Sequence, residues 1–175
     1  MDWKLILVLT AFLVYWLYNM AVLCLFSAPE SLSMTFYLFK KRKRWQKVLF
    51  PIMMVSLSFL LVPSWLEISE GSDLQFMVFF AVAGILFTGC APAFNKHDLE
   101  NKVHTGSAMT AALFALLWVA FVANLWHVIV LWFILIMTIA IFTKSLKTSY
   151  IYWLETVAFM STFTSIIVYY IQQLI

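Results

Sequence analysis

Charged residues are scarce in this chain. Only 11% of its 175 residues are Asp, Glu, Lys or Arg, whereas 65% are hydrophobic. A soluble domain is roughly one quarter charged and one half apolar, so this composition excludes a water-soluble fold. Glycine and proline are also rare, at four each, which favours long uninterrupted helices. The expected fold class is all-α: one polytopic transmembrane bundle over residues 1–175.

Cysteine and the common cofactor motifs are almost absent too. Cys24 and Cys90 are the only cysteines, and both stand in apolar runs, which predicts buried thiols rather than a disulfide scaffold or a zinc site. The sequence has no Walker loop, no dinucleotide fingerprint and no arginine ladder of a voltage sensor. These absences exclude the easily recognised nucleotide-dependent enzymes and voltage sensors. The sequence leaves the cofactor unknown. No metal ligands are predicted, although a metal stays open as part of an enzyme site.

Long apolar runs, by contrast, are abundant and predict six transmembrane helices. A helix needs about 20 mostly apolar residues to cross about 30 Å of hydrocarbon. The run 105–142 contains no Asp, Glu, Lys or Arg, and as one helix it would be about 57 Å long. We therefore expect it to fold back near Asn124 to His127. The predicted helices span residues 5–26, 48–65, 74–94, 105–124, 127–142 and 149–171.

Basic residues are concentrated on one side of this predicted bundle. Six crossings place ten of the eleven Lys and Arg residues on one side and leave Lys4 alone on the other. Cytoplasmic loops carry an excess of Lys and Arg, so we predict a multi-pass protein of the inner (plasma) membrane with both termini outside. The net charge of +3 therefore indicates topology. The expected partners are membrane lipids, and no nucleic acid is expected.

The segment 28–44 predicts a further, amphipathic helix in the cytoplasmic interface. Ser27 and Glu30 have the spacing of a capping box, and Pro29 stands in the first turn. Apolar residues recur on one helical face, as in helices that lie in the membrane surface. A basic cluster follows, and we expect it to contact anionic lipid headgroups. Its members are Lys40, Lys41, Arg42, Lys43, Arg44 and Lys47.

Small residues lie at regular spacing on the fourth predicted helix. Ala108 with Ala112, and Ala111 with Ala115, are pairs four residues apart that let another backbone approach closely. One interpretation is packing inside the bundle. The alternative is a homo-oligomer that forms through this face.

Glu155 is the most informative single residue, because it lies about two turns inside the last predicted helix. A carboxylate at this depth is unfavourable unless it is paired, solvated or protonated. Its helical neighbours Ile151, Tyr152, Ala158 and Phe159 are not basic. Its partner must therefore come from another helix, from water or from a ligand. The alternative is a polar pair that only fixes helix packing.

His104 is the candidate partner, since it stands where the fourth helix leaves the basic side, with His97 and Asp98 just before it. A histidine beside a carboxylate can bind a metal, relay protons or act as general acid and base. His104, Glu155 and Asp98 are therefore the candidate catalytic residues. Asn95 and Asp98 also fit a helix cap, and a solvated surface is the alternative interpretation.

Two serines, Ser31 and Ser33, are expected on the same side as His104 and Glu155. A serine near histidine and carboxylate could act as a nucleophile, but the chain has no nucleophile elbow and no glycine-rich oxyanion turn. We therefore predict a ligand-binding set rather than a nucleophilic one. It consists of Glu155, His104, Ser31, Ser33 and Tyr152.

Several short motifs carry a resemblance to known families. They are Pro29-Glu30-Ser31-Leu32-Ser33, Gly89-x-x-Pro92-x-Phe94, Val103-His104-x-x-x-Ala108 and Trp153-Leu154-Glu155-x-x-Ala158-Phe159. Over most of its length the chain resembles an uncharacterised family of small bacterial and phage-borne membrane proteins. Its middle portion also distantly resembles six-span families related to eukaryotic lipid-remodelling proteins. That second resemblance implies work on lipids, with His104 in the site, and supplies no catalytic set.

Three functional hypotheses follow. The preferred one is an intramembrane polar pocket, open to the cytoplasm, that binds a lipid headgroup or a small amphiphile. The second is a membrane-embedded lipid-modifying enzyme that uses His104 with Glu155 or Asp98. The third is an oligomeric pore or membrane assembly partner that uses the small face of the fourth helix.

Overall fold

A computed structural model describes residues 2–92 and 98–173, apart from the side chain of Asp98. All regular secondary structure of these residues is helical, as predicted. A short 3-10 helix, Arg44–Val48, leads into α3. The α-helices are α1 (Trp3–Phe26), α2 (Thr35–Arg42), α3 (Leu49–Ile68), α4 (Phe76–Cys90), α5 (Asp98–Phe121), α6 (Trp126–Phe142) and α7 (Leu146–Gln172).

Four stretches of the described residues are helical, long and apolar enough to cross a membrane: Trp3–Phe26, Arg44–Ile68, Leu99–Phe121 and Leu146–Gln172. The helices α4 and α6 are apolar but shorter, at 15 and 17 residues. Large hydrophobic side chains cover the outside of the bundle; Phe142 and Phe59, for example, are 81% and 69% exposed. Such a surface suits lipid better than water. The fold is therefore compatible with a multi-pass membrane protein.

The helix α5 lies against three others, since it packs on α4, α6 and α7. Its contact with α4 is the closest, because Gly84 has no side chain. A Cβ atom at Gly84 would lie 2.6 Å from the backbone oxygen of Ser107 and 2.7 Å from the backbone nitrogen of Ala111. Small residues on both helices thus hold α4 and α5 together.

The helix ends meet in two groups. At the end that we call the Lys4 end, Lys4 Nζ lies 2.5 Å from Glu67 Oε1, and the Tyr170 hydroxyl donates to Glu67 Oε2. The opposite end holds the chain between α1 and α3, which contacts the start of α7. We call it the basic end, because the basic cluster of residues 40–47 lies in this part of the chain.

The predicted helix 28–44 is wrong over its first seven residues. The helix begins at Thr35 and ends at Arg42, and Met34 precedes it without a side-chain cap. Ser27 and Glu30 therefore form no capping box. Ser27 instead ends α1 with φ 62° and ψ −169°. The physical reason is tertiary, because the backbone groups of Ala28, Glu30 and Leu32 bond to α7, and only single turns such as the bond from the Met34 amide to the Ser31 carbonyl form within the segment.

Two further predictions have clear outcomes. The apolar run 105–142 folds back as predicted, with α5 ending at Phe121 and α6 beginning at Trp126. Asn124 supports the turn with φ 53°, a left-handed conformation that asparagine tolerates. The prediction of buried thiols is wrong, since Cys24 and Cys90 are both exposed. Both lie on apolar helices whose outer faces are also exposed.

Candidate functional site

A narrow cavity lies between α3, α4, α5 and α7, and the 28–34 segment closes part of it through Leu32 and Ser33. We call it the central cavity. Its wall is mostly apolar, and Glu155 is the one ionisable residue among the described residues that line it. The cavity leaves about 40 Å³ for the centre of a water molecule, and one water needs about 10–15 Å³ by this measure. As it stands, the central cavity has room for a few waters.

The small residues of α5 form one wall of the central cavity. Ala108, Ala111, Ala112 and Ala115 all line it, and Ala111 also packs against Gly84 of α4. The predicted small face is thus turned toward the interior of this chain. A larger residue at these positions would fill the space, so the alanines keep the cavity open.

Glu155 is half-buried and has a single hydrogen bond among the described residues. The backbone amide of Leu32 donates to its Oε2 at 2.6 Å. No described group bonds to its Oε1, and the ion pair found among the described side chains joins Lys4 and Glu67 instead. A carboxylate can accept several hydrogen bonds. Glu155 therefore keeps acceptor capacity beside an apolar cavity.

A kink in α7 creates the site that receives Leu32. Ser149 has φ −131° and ψ 24°, which interrupts the helix. The amide of Tyr152 would donate to residue 148 in a regular helix, but here it donates to the Glu30 carbonyl at 3.2 Å. The Ser149 hydroxyl donates to the Ala28 carbonyl at 2.8 Å. Together with the Leu32 bond to Glu155, these contacts attach residues 28, 30 and 32 to α7. Every second residue is bonded, as on one edge of an extended chain.

The predicted site residues do not all meet at Glu155. Ser33 lines the central cavity, and Ser31 bonds to Ser33 at 3.0 Å while accepting from the Met34 amide at 3.3 Å. Ser31 therefore stabilises a local turn. The side chain of Tyr152 is directed at α1, where its hydroxyl donates to Asn19 Oδ1 at 2.9 Å.

His104 is buried, and it lies one helical turn before Ala108, outside the lining of the central cavity. Its Nδ1 is 3.0 Å from the Ala91 carbonyl. Among the described contacts of Glu155, the partner is Leu32 and not His104. The side chain of Asp98 and the whole of His97 lie outside the described residues. Within the described part of the chain, no three His, Cys, Asp or Glu side chains lie close enough to hold a metal ion.

A second, wider depression lies at the basic end, and we call it the basic-end groove; of the basic cluster, Lys41 lines it. Its lining includes Glu30, Tyr37, Lys41 and Ser149, and it leaves about 440 Å³ for water centres. The side chains of Lys40, Lys41, Arg42, Lys43 and Arg44 are exposed. Below them, α2 buries Phe36 and Phe39 against the bundle. The cluster is thus held at the surface by an apolar anchor.

Sequence reasoning missed Leu32, Ser149 and the contact between Glu67 and Tyr170. Leu32 acts through its backbone, which leaves no mark in the sequence. Ser149 acts through a local change of φ and ψ, and a serine in the sequence does not predict such a change. The predicted topology places Glu67 and Tyr170 on the same side of the membrane. It does not show that the two side chains bond to each other.

Comparison with known proteins adds no relative. The chain matches no protein-family model, no curated protein and no solved structure. The resemblance to small bacterial and phage-borne membrane proteins therefore stays a prediction. What the fold and the site define is a helical chain with membrane-length helices around a cavity that holds one carboxylate.

Proposed function

We propose that this protein binds a small amphiphile or a lipid headgroup in the central cavity. The polar group of the ligand bonds to Glu155, and its hydrocarbon lies along the alanines of α5. The observation that carries the proposal is Oε1 of Glu155, to which no described group bonds, in a mostly apolar wall. A carboxylate without a charged partner is unfavourable in such surroundings, and a ligand donor would supply the missing bond.

The chemistry of Glu155 limits the class of ligand. In its ionised form, which we propose for the bound state, the Glu155 carboxylate only accepts hydrogen bonds, so the polar group that meets it donates. A hydroxyl or an ammonium group fulfils this requirement. An anionic group would be repelled at close range in a medium of low dielectric constant.

The proposed setting is the inner membrane, with six crossing helices, the basic end in the cytoplasm and both termini outside. By sequence, this arrangement assigns ten of the eleven Lys and Arg residues to the cytoplasmic side, as expected of cytoplasmic loops. The contacts of Glu67 with Lys4 and with Tyr170 support this setting. They join the ends of α1, α3 and α7, which an even number of crossings would bring to the same side.

Paired ligands of equal chain length test the polar contact. Dodecylamine and dodecanoic acid are titrated into the protein in nanodiscs, and binding is measured by calorimetry. Wild-type protein should bind the amine at least tenfold more tightly than the acid, and Glu155→Gln should abolish this preference. Glu100→Gln, which makes the same change outside the cavity lining, is the matched control. Undiminished preference for the amine in Glu155→Gln would refute the proposal.

A second substitution tests the path of the hydrocarbon. Ala112→Leu fills the cavity without changing Glu155, so it should weaken amine binding at least tenfold. Leu113→Phe adds bulk at a neighbouring position of α5 that is 54% exposed, and it should leave binding unchanged. Full binding by Ala112→Leu would assign the hydrocarbon to another surface.

Cysteine labelling tests the setting separately. In a Cys24→Ser, Cys90→Ser background, a membrane-impermeant maleimide is added to intact cells that carry either Lys41→Cys or Glu70→Cys. The proposed orientation predicts labelling at position 70 and none at position 41. The opposite pattern would reverse the orientation and with it the cytoplasmic opening of the pocket.

The described contacts do not favour the enzyme hypothesis or the pore hypothesis as a second candidate function. His104 is bonded to Ala91 rather than to Glu155. The four alanines face the central cavity of their own chain.

A further inference from the structure

We infer that the 28–34 segment is a gate of the central cavity, and that a ligand reaches Glu155 by displacing Leu32. The identity of the ligand rests on the proposed function, whereas the opening of the gate is a property of the free protein. Four observations support the inference: the size of the cavity, the nature of its walls, the attachment of the segment and the groove behind it.

The central cavity is too small, as it stands, for the hydrocarbon of an amphiphile. It leaves about 40 Å³ for water centres, whereas an engineered cavity that binds benzene measures about 150 Å³. Binding an alkyl chain therefore requires one wall to move. The question is which wall can move without breaking a helix.

The 28–34 segment is the non-helical part of the lining. The other lining residues belong to α3, α4, α5 and α7, whose backbone groups are bonded within their own helices. Leu32 and Ser33 lie between α1 and α2, where no helix includes them. A displacement of this segment leaves every long helix intact.

The segment is attached to α7 by three hydrogen bonds on one of its edges. They are the bonds from Ser149 to Ala28, from Tyr152 to Glu30 and from Leu32 to Glu155. Ser27, at the start of the segment, has φ 62° and ψ −169°, a conformation that residues other than glycine rarely adopt. The remaining backbone bonds of the segment lie within its own turns and to the first turn of α2, so they can move with it. A strained residue next to such a segment is suited to act as a hinge.

The basic-end groove lies on the other side of the same segment. Ala28, Pro29, Glu30 and Met34 line this groove, while Leu32 and Ser33 line the central cavity. Displacement of the segment would thus join the two spaces. Glu155 would exchange the amide of Leu32 for a donor of the ligand, so that it keeps a hydrogen bond in both states.

Access to a cysteine in the cavity tests the gate without any amphiphile. The reporter is Ala112→Cys in a Cys24→Ser, Cys90→Ser background, and the rate of its reaction with methyl methanethiosulfonate is measured in nanodiscs. Ser149→Ala removes one attachment of the segment and should raise this rate about fivefold. Thr138→Ala removes a hydroxyl from α6, far along the chain from the segment, and should change it less than twofold. Equal rates in the parent and both variants would overturn the gate.

Hydrogen exchange of the unmodified protein provides a readout that needs no variant. A gate predicts that the amides of Leu32 and Tyr152 exchange together, and at least tenfold faster than amides at 157–166 of α7. Exchange as slow as in that part of α7 would overturn the gate. Neither measurement contains a ligand, so failure of the gate is distinguishable from failure of dodecylamine binding.

Discussion

The two ends of the bundle each hold a glutamate that joins separate elements, but the two glutamates have different partners. Glu67 at the Lys4 end uses both oxygens, one with Lys4 at 2.5 Å and the other with the hydroxyl of Tyr170. Glu155 at the basic end has one partner among the residues that the structure describes, the backbone amide of Leu32. The comparison teaches that a fully bonded carboxylate ties helices together, whereas a partly bonded one beside a cavity can serve a ligand.

The Lys4 end owes its stability to the network rather than to the ion pair alone. The side chains of Lys4 and Glu67 are 25% and 29% exposed, and solvent screening leaves a pair with that much exposure only a small contribution to stability. Tyr170 adds a hydrogen bond to a charged acceptor, which contributes about 1.5–3 kcal/mol. Loss of Glu67 removes both at once.

The largest effect on stability is therefore expected for Glu67→Ala. It should lower the free energy of unfolding by about 2 kcal/mol, since Lys4 and Tyr170 both lose their partner. Denaturant unfolding in detergent, followed by circular dichroism, measures the change. Glu70→Ala in the adjacent turn is the control, and an equal loss in both variants would show that the network stabilises nothing.

Tyr170→Phe sharpens the comparison by removing one bond of the same network. The ring remains packed and Lys4 keeps Glu67, so we expect a loss of about 1.5 kcal/mol, the lower end of the range for a bond to a charged acceptor. The same unfolding measurement applies. A loss as large as that of Glu67→Ala would assign the whole effect to the tyrosine bond.

Ser27→Gly should have a smaller effect of opposite sign at the basic end. Glycine adopts the φ of 62° found at Ser27 without the strain of about 1–3 kcal/mol that other residues incur. Its greater freedom in the unfolded chain offsets about 0.5–1 kcal/mol of that gain. We expect the free energy of unfolding to rise by roughly 0.5 kcal/mol or more. A destabilised Ser27→Gly protein would contradict strain at this position.

Glu155→Gln should change stability least. The glutamine oxygen can still accept from Leu32, and the burial of a charge is avoided, so unfolding should shift by less than about 0.5 kcal/mol. Amine binding should nevertheless fall at least tenfold in calorimetry. If stability fell as far as in Glu67→Ala, the distinction between the two ends would fail.

The helical class could be predicted from the sequence because it follows from composition and run length. The turn between α5 and α6 could also be predicted, since polar residues break an apolar run that is too long for one helix. The helix at 28–44 was mispredicted because Ser27 and Glu30 have the spacing of a capping box. Contacts with a kinked α7, more than 100 residues away in the chain, override that local preference.

The site was only partly predictable for a similar reason. The position of Glu155 in the last helix showed that its partner lies elsewhere, but a backbone donor such as Leu32 has no sequence signature. The sequence predicted that His104 lies at a depth similar to that of Glu155. His104 lies on the same helical face as Ala108 but one turn farther toward the end of α4. There its Nδ1 lies within hydrogen-bond distance of the Ala91 carbonyl. Depth alone does not determine contact.

The short helices α4 and α6 have a consequence for the surrounding lipid. Their 15 and 17 residues correspond to about 22 and 26 Å, less than the roughly 30 Å of a typical hydrocarbon core. In the six-span arrangement, acyl chains beside these helices must compress or tilt to avoid exposing apolar carbon to water. The bilayer next to α4 and α6 would be locally thin, and membranes of shorter acyl chains would accommodate the protein with the least deformation.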